Sequence, residues 1–132
     1  MLVISSDKSL LDREFIHGFI SQTYWAEGRS REDMNTCIEH SLNFGAYLDG
    51  TQIGYARVVS DTVQFAYLMD VFIDPNHRGK GFSKELMRFM LDSTELKNVK
   101  VWRLATRDAH TLYSSFGFTP LKAPENMMEL MR

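Results

Sequence analysis

The eleven-residue run Val63–Ile73, VQFAYLMDVFI, is apolar at both odd and even positions. A strand with one wet face alternates between apolar and polar residues, whereas a run without alternation needs cover on both faces. The segment is therefore expected to be a central strand of a layered structure rather than an edge. Pro75 ends it. Beyond a basic, glycine-rich turn, Phe82, Leu86, Phe89 and Met90 fall on one side of an amphipathic helix that begins near Gly81.

Other segments supply the remaining layers. LVIS at the start reads as a short strand. Asp7 can cap a helix from about Lys8 to Gln22, with Leu11, Phe15, Ile16 and Phe19 making its apolar face. Ser30 followed by Asp33 resembles a capping box and predicts a second helix to about Ser41. FGAYLDGTQIGYARVV holds two strand-like runs around Asp49-Gly50, a hairpin signal. VKVWRLA predicts a strand, AHTLYSSF a short helix, and GFTPL and MMELM two closing strands. The expected order is β-α-α-β-β-β-α-β-α-β-β, an α+β chain of one domain over residues 1–132.

Composition narrows the function classes. The 132 residues carry a formal net charge of −2, so no overall basic field points to nucleic acid. The dense basic cluster of His77, Arg78 and Lys80 suits a small anion better than a duplex. MLVISSDKSLLDREF lacks the pattern of a signal peptide, and no apolar run approaches the roughly 20 residues of a membrane span. Cys37 is the only cysteine, which excludes an internal disulfide and fits a reducing cytoplasm. Cys37 and His40 have C-x-x-H spacing without a second ligand pair, so no metal site is expected.

The basic turn after the central strand is the strongest chemical signal. A helix N-terminus presents unpaired N–H groups and the positive end of the helix dipole, and so attracts phosphate. Gly79 and Gly81 permit a tight turn and close approach by a ligand, and Arg78 and Lys80 add charge. A Walker loop would need Ser or Thr after Lys80, where Gly81 stands. A dinucleotide fingerprint would need glycine at position 84, which is Lys84.

What remains, R-x-x-G-x-S from Arg78 through Gly81 to Ser83, resembles the acyl-CoA-binding motif of the GNAT superfamily of N-acyltransferases, [RQ]-x-x-G-x-[GA]. Ser83 stands where the family usually has Gly or Ala. RDAHTLYSSFGF resembles the family's later motif through Ala109, Tyr113, Gly117 and Phe118. The family often has Asn at the position of Thr106. The resemblance implies a GNAT-type fold, a central mixed and mostly antiparallel sheet of about seven strands flanked by four helices. It implies acetyl-CoA as cosubstrate and an amine as acceptor. Arg78, Gly79, Lys80, Gly81, Phe82 and Ser83 would then hold the pyrophosphate. The main chain of Val71, Phe72 and Ile73 would meet the thioester and pantetheine, with Thr106 contacting the pantetheine arm. Tyr113 would be the general acid.

Several residues have two readings. Tyr113, with an ordinary phenol pKa near 10, can protonate a departing thiolate or simply pack. Asp70 is the one charge in the central run, so it needs a partner, water access or a raised pKa. It can bind or deprotonate an amine, or form an ion pair with Arg57. Tyr24, Trp25 and Glu27 lie in the loop between the first two helices, where Tyr24 and Trp25 can wall an acceptor pocket or plug the sheet. Arg57 is a further candidate acceptor contact. His17 and His110 have no carboxylate partner that the sequence names, and His110 is expected at the surface. A CoA-binding sensor without transfer activity and a transferase for longer acyl groups are the alternatives. Bulky Phe65, Tyr67 and Phe72 disfavour the latter. A homodimer pairing through the MMELM edge is a further expectation.

Overall fold

The computed structural model describes residues 1–132. Its sheet has five strands in the order β1-β2-β3-β4-β5, formed by Leu2–Ser5, Leu42–Leu48, Thr51–Ser60, Phe65–Ile73 and Val101–Leu104. The first three junctions are antiparallel and the β4–β5 junction is parallel. Four α-helices accompany them: α1 (Arg13–Ile20), α2 (Arg31–Glu39), α3 (Phe82–Leu91) and α4 (His110–Ser114). The predicted central run is indeed interior to the sheet as β4, and Asp49-Gly50 is the two-residue turn between β2 and β3.

The two faces of the sheet are covered by different helices. Ile16, Ile20, Met34 and Ile38 from α1 and α2 pack with Tyr55 and Phe72. Leu86, Met87 and Met90 of α3 and Tyr113 of α4 pack with Phe44, Ala56, Val58, Leu68 and Ile73 on the opposite side. Apolar residues at both parities of β4 therefore find a dry partner on each face.

Two expectations need correction. GFTPL and MMELM form no strands, so the sheet has five strands rather than about seven. A strand requires a ladder partner; Pro120 lacks the N–H that a ladder through GFTPL would use, and no strand pairs with MMELM. Met127, Met128, Leu130 and Met131 are instead exposed. The first helix is also shorter than expected. Asp7 caps only a single 3-10 turn at Lys8–Leu10, and Asp12 caps α1 by accepting from the Phe15 N–H at 3.0 Å. Two competing caps five residues apart split one apolar pattern into a turn and a helix.

Two details of β4 create the site. Its ladder with β5 runs only from Phe65 to Leu68, so Met69–Ile73 lack a neighbouring strand on that side. Opposite β3, Asp70 and Val71 together face Ala56 between the Arg57–Met69 and Tyr55–Phe72 pairs, which is a β-bulge. Asp70 has φ +57°, a left-handed conformation that Asp tolerates better than most residues. The extra residue shifts the side-chain phase, and Asp70 turns toward the α1/α2 face.

Candidate active site

The turn after β4 is built around two glycines. Gly79 and Gly81 have φ of +78° and +79°, and a side chain at either would meet no atom within 4 Å. Glycine is therefore required by backbone conformation, and the space beside it is open to a ligand. Gly81 is the N-cap of α3 and provides no side-chain cap. The amides from Arg78 through Lys84 make no hydrogen bond within the chain. Arg78 donates its Nε to the Ile73 carbonyl at 3.0 Å, tying the turn to the end of β4. Lys80 is exposed, and the half-buried Ser83 hydroxyl has no partner in the chain.

That Arg78 bond also reports the strand's orientation. The Asp74 N–H bonds to Ile53 of β3, and strand groups alternate between edges. Ile73 and, two residues earlier, Val71 therefore present their amides to the open edge. Phe72 directs its side chain to the α1/α2 core, stacking on Phe19 with ring centroids 4.0 Å apart.

Tyr113, on α4, packs in the same apolar cluster as Ile73 at the end of β4. It is only 8% exposed and packs edge-on against Phe118 at 5.9 Å. Its hydroxyl makes no hydrogen bond in the chain, yet is not fully enclosed. Burial, followed by the nearby Tyr24 phenol and Asp108 carboxylate, pushes the Tyr113 pKa up to about 12. The phenol is thus protonated throughout the neutral range. Thr106 accepts from the Ala109 N–H at 3.0 Å, positioning the first turn of α4 and leaving its hydroxyl proton to donate. Thr106, His110 and Tyr113 border a cavity of about 1170 Å³ between β5 and the C-terminal stretch.

Asp70 sits on the other side of β4 in a dense polar cluster. Its side chain is fully enclosed. Oδ2 accepts from Arg29 Nη1 at 2.7 Å and from Arg57 Nε at 2.8 Å, and Oδ1 accepts from Trp25 Nε1 at 3.0 Å. Burial alone would raise the carboxyl pKa, but the Arg29 hydrogen bond together with the charge and hydrogen bond of Arg57 outweighs it, and the net shift is downward. An anion so held is a poor proton acceptor, and the geometry favours the ion-pair reading of Asp70. Arg57 Nη1 also donates to Ser41 Oγ at 3.0 Å. Arg57 is 4% exposed, which makes it part of the floor of the site rather than its mouth.

The α1–α2 loop closes over this cluster. Trp25 is 42% exposed and meets Tyr24 edge-on at 5.1 Å. The Arg107 guanidinium carbon lies 3.6 Å over the Tyr24 ring, and the Arg107 backbone N–H donates to the Tyr24 hydroxyl at 3.2 Å. Tyr24 and Trp25 thus bridge the Asp70 cluster on one side to the α4 approach on the other. His17 Nε2 donates to the Arg29 carbonyl at 2.8 Å and anchors the loop, while His110 and Glu27 are exposed.

Arg29 and Arg107 escaped the sequence reading. A lone carboxylate in an apolar run signals a need for cations but cannot name two of them. Arg29 comes from a loop 41 residues earlier, and stacking of Arg107 on Tyr24 depends on chain crossing that no local pattern encodes.

The family model of the acetyltransferase (GNAT) domain matches residues 39–120, well over half of the chain. The chain belongs to the GNAT acetyltransferase family. A structure from Xanthomonas campestris pv. campestris, assigned to the same family, superposes with a TM-score of 0.97 at 44% identity, covering 100% of this chain and 94% of that one. The Escherichia coli ribosomal-protein-S18-alanine N-acetyltransferase gives a TM-score of 0.71 at 25% identity over 92% of this chain and 80% of that one. A Gibberella zeae protein provisionally named an acetyltransferase is 26% identical over 70% of this chain, which spans 64% of that relative's length.

Proposed function

We propose that this chain acts as one unit that transfers an acetyl group from acetyl-CoA directly to a primary amine. The observation that carries the reading is the unbroken series of unpartnered amides from Arg78 to Lys84, adjoining the open edge of β4. Those amides, with Arg78, Lys80 and the Ser83 hydroxyl, suit a pyrophosphate, because they supply many donors and positive charge without a competing partner. The Val71 and Ile73 amides then face the thioester and pantetheine, and Thr106 donates to the pantetheine arm.

The chemistry needs little else. The neutral amine attacks the thioester carbonyl carbon, main-chain N–H groups stabilise the developing oxyanion, and the C–S bond breaks. Tyr113 gives its proton to the departing sulfur, the product nitrogen releases a proton to solvent, and Tyr113 regains one from solvent. Asp70 is a positioning residue that orients Trp25, Arg29 and Arg57 on the acceptor side.

The test is thiol release from acetyl-CoA by purified protein across a panel of amines, with CoA binding followed in parallel. Amine-dependent release is expected. CoA binding without release from any small or peptide amine would favour a CoA-binding sensor and overturn the transferase reading.

A further inference from the structure

The Asp70 cluster has more positive than negative charge. One carboxylate serves two guanidiniums, and the side chains of Arg57 and Arg29 are 5% and 17% exposed. A net charge of +1 is therefore held in a poorly solvated place, where it strongly favours an additional anion. The donors are not exhausted either. Arg29 uses Nη1 for Asp70 and for a weak contact with Met34 Sδ at 3.5 Å, while its Nε and Nη2 donate to nothing in the chain.

Arg107 extends the same strip. Its stacking on Tyr24 engages the face of the guanidinium and leaves the N–H edges without a hydrogen bond in the chain. Beyond Asp70, the acids next to these cations in sequence are Glu27, two residues from Arg29, and Asp108, beside Arg107. Both are exposed and neither forms an ion pair, so solvent weakens their compensation of the buried charge.

Resting on the acetyltransferase reading, we propose that the acceptor amine carries an anionic group, a carboxylate or a phosphate, that docks on Arg29 with Arg107 as second donor. Guanidinium edges match either oxyanion through paired N–H groups. Asp70, which fixes Arg29, directly precedes Val71, whose amide faces the open edge of β4. For one acceptor to engage Arg29 and present its amine at that edge, its anion and amine must be joined by a short spacer, which Tyr24 and Trp25 can cover. This selects amino-acid-like or phosphorylated small amines over polyamines.

Trp25 supplies a readout independent of turnover. In a Trp102→Phe background it is the only indole, and its N–H touches Asp70. The protein, with and without CoA, would be titrated at constant ionic strength with leucine against leucinamide and with O-phosphoethanolamine against ethanolamine. The anionic member of at least one pair is expected to bind roughly tenfold or more tightly than its neutral-tailed partner, and the responding pair identifies carboxylate or phosphate. Arg107→Gln, at an exposed position, should remove most of that preference, and Arg29→Gln should remove it entirely. Equal binding within both pairs, or no binding by either anion up to about 10 mM, would overturn the proposal. Failure of CoA to bind would strike the acetyltransferase reading instead, while the anion preference is still read on the protein alone.

Discussion

Replacing Asp70 by Asn separates a structural carboxylate from a catalytic one. The substitution keeps shape but removes the charge that pairs with Arg29 and Arg57 at 2.7 and 2.8 Å. Both guanidiniums would remain enclosed, with one amide oxygen to share. Breaking a buried ion pair by removing one partner costs about 3–5 kcal/mol, because the survivor keeps its desolvation penalty. For a chain of this size that loss corresponds to a fall in Tm of about 10–20 °C. Urea unfolding followed by tryptophan fluorescence would show a lower midpoint with an unchanged slope. Adding Arg29→Met to the Asp70→Asn background removes one of the two stranded charges, leaving Arg57, and should recover about 1–3 kcal/mol as a coupling energy. If Asp70 were instead a solvent-facing base, Asp70→Asn would abolish turnover while changing stability by no more than about 0.5 kcal/mol, and that result would refute the reasoning.

The same pair predicts an acid limb. The Asp70 carboxyl lies below its ordinary value when folded, so its stabilisation is complete above the unfolded pKa near 4 and is lost as pH falls through the folded value; the Asn variant should lack this part of the decline in a urea-midpoint profile. Gly81→Glu should weaken acetyl-CoA binding by adding negative charge and bulk where φ is +79°, and calorimetry showing unchanged affinity would remove the turn from the CoA site. Tyr113→Phe should reduce kcat about 100-fold with little change in CoA affinity, whereas full activity would return Tyr113 to a packing role. Because burial pushes the Tyr113 pKa up to about 12, kcat should show no Tyr113-dependent decline as pH rises from 8 to about 10.5; a falling limb near 10 that disappears in Tyr113→Phe would contradict its burial.

Much of the architecture was legible because it rests on local patterns. The doubly apolar run announced an interior strand, Asp49-Gly50 announced the hairpin, and Ser30 marked the start of α2 by capping the Asp33 N–H. The glycine turn was legible for the same reason, since φ near +80° leaves a residue-type signature. Long-range arrangements were not. MMELM has strand-like composition, but a strand exists only where a ladder partner meets it. The bulge at Asp70 depends on the register of β3 against β4, one residue out of step across Ala56. The bulge in turn determines that Asp70 meets Arg29 and Trp25 as well as the expected Arg57. The Asp70 cluster and the loop over it were therefore the least readable part of the chain, since the contacts of Trp25, Arg29 and Tyr24 join residues more than 40 positions apart.

The most direct measurement is an acetyl-CoA titration followed through backbone amide resonances in two-dimensional NMR. The account predicts the largest shifts at residues 78–84, where the amides are unpartnered, with further shifts at Val71 and Ile73 on the open edge of β4 and at Thr106 and Tyr113. Shifts confined to other surfaces, or no shift at saturating acetyl-CoA, would contradict it.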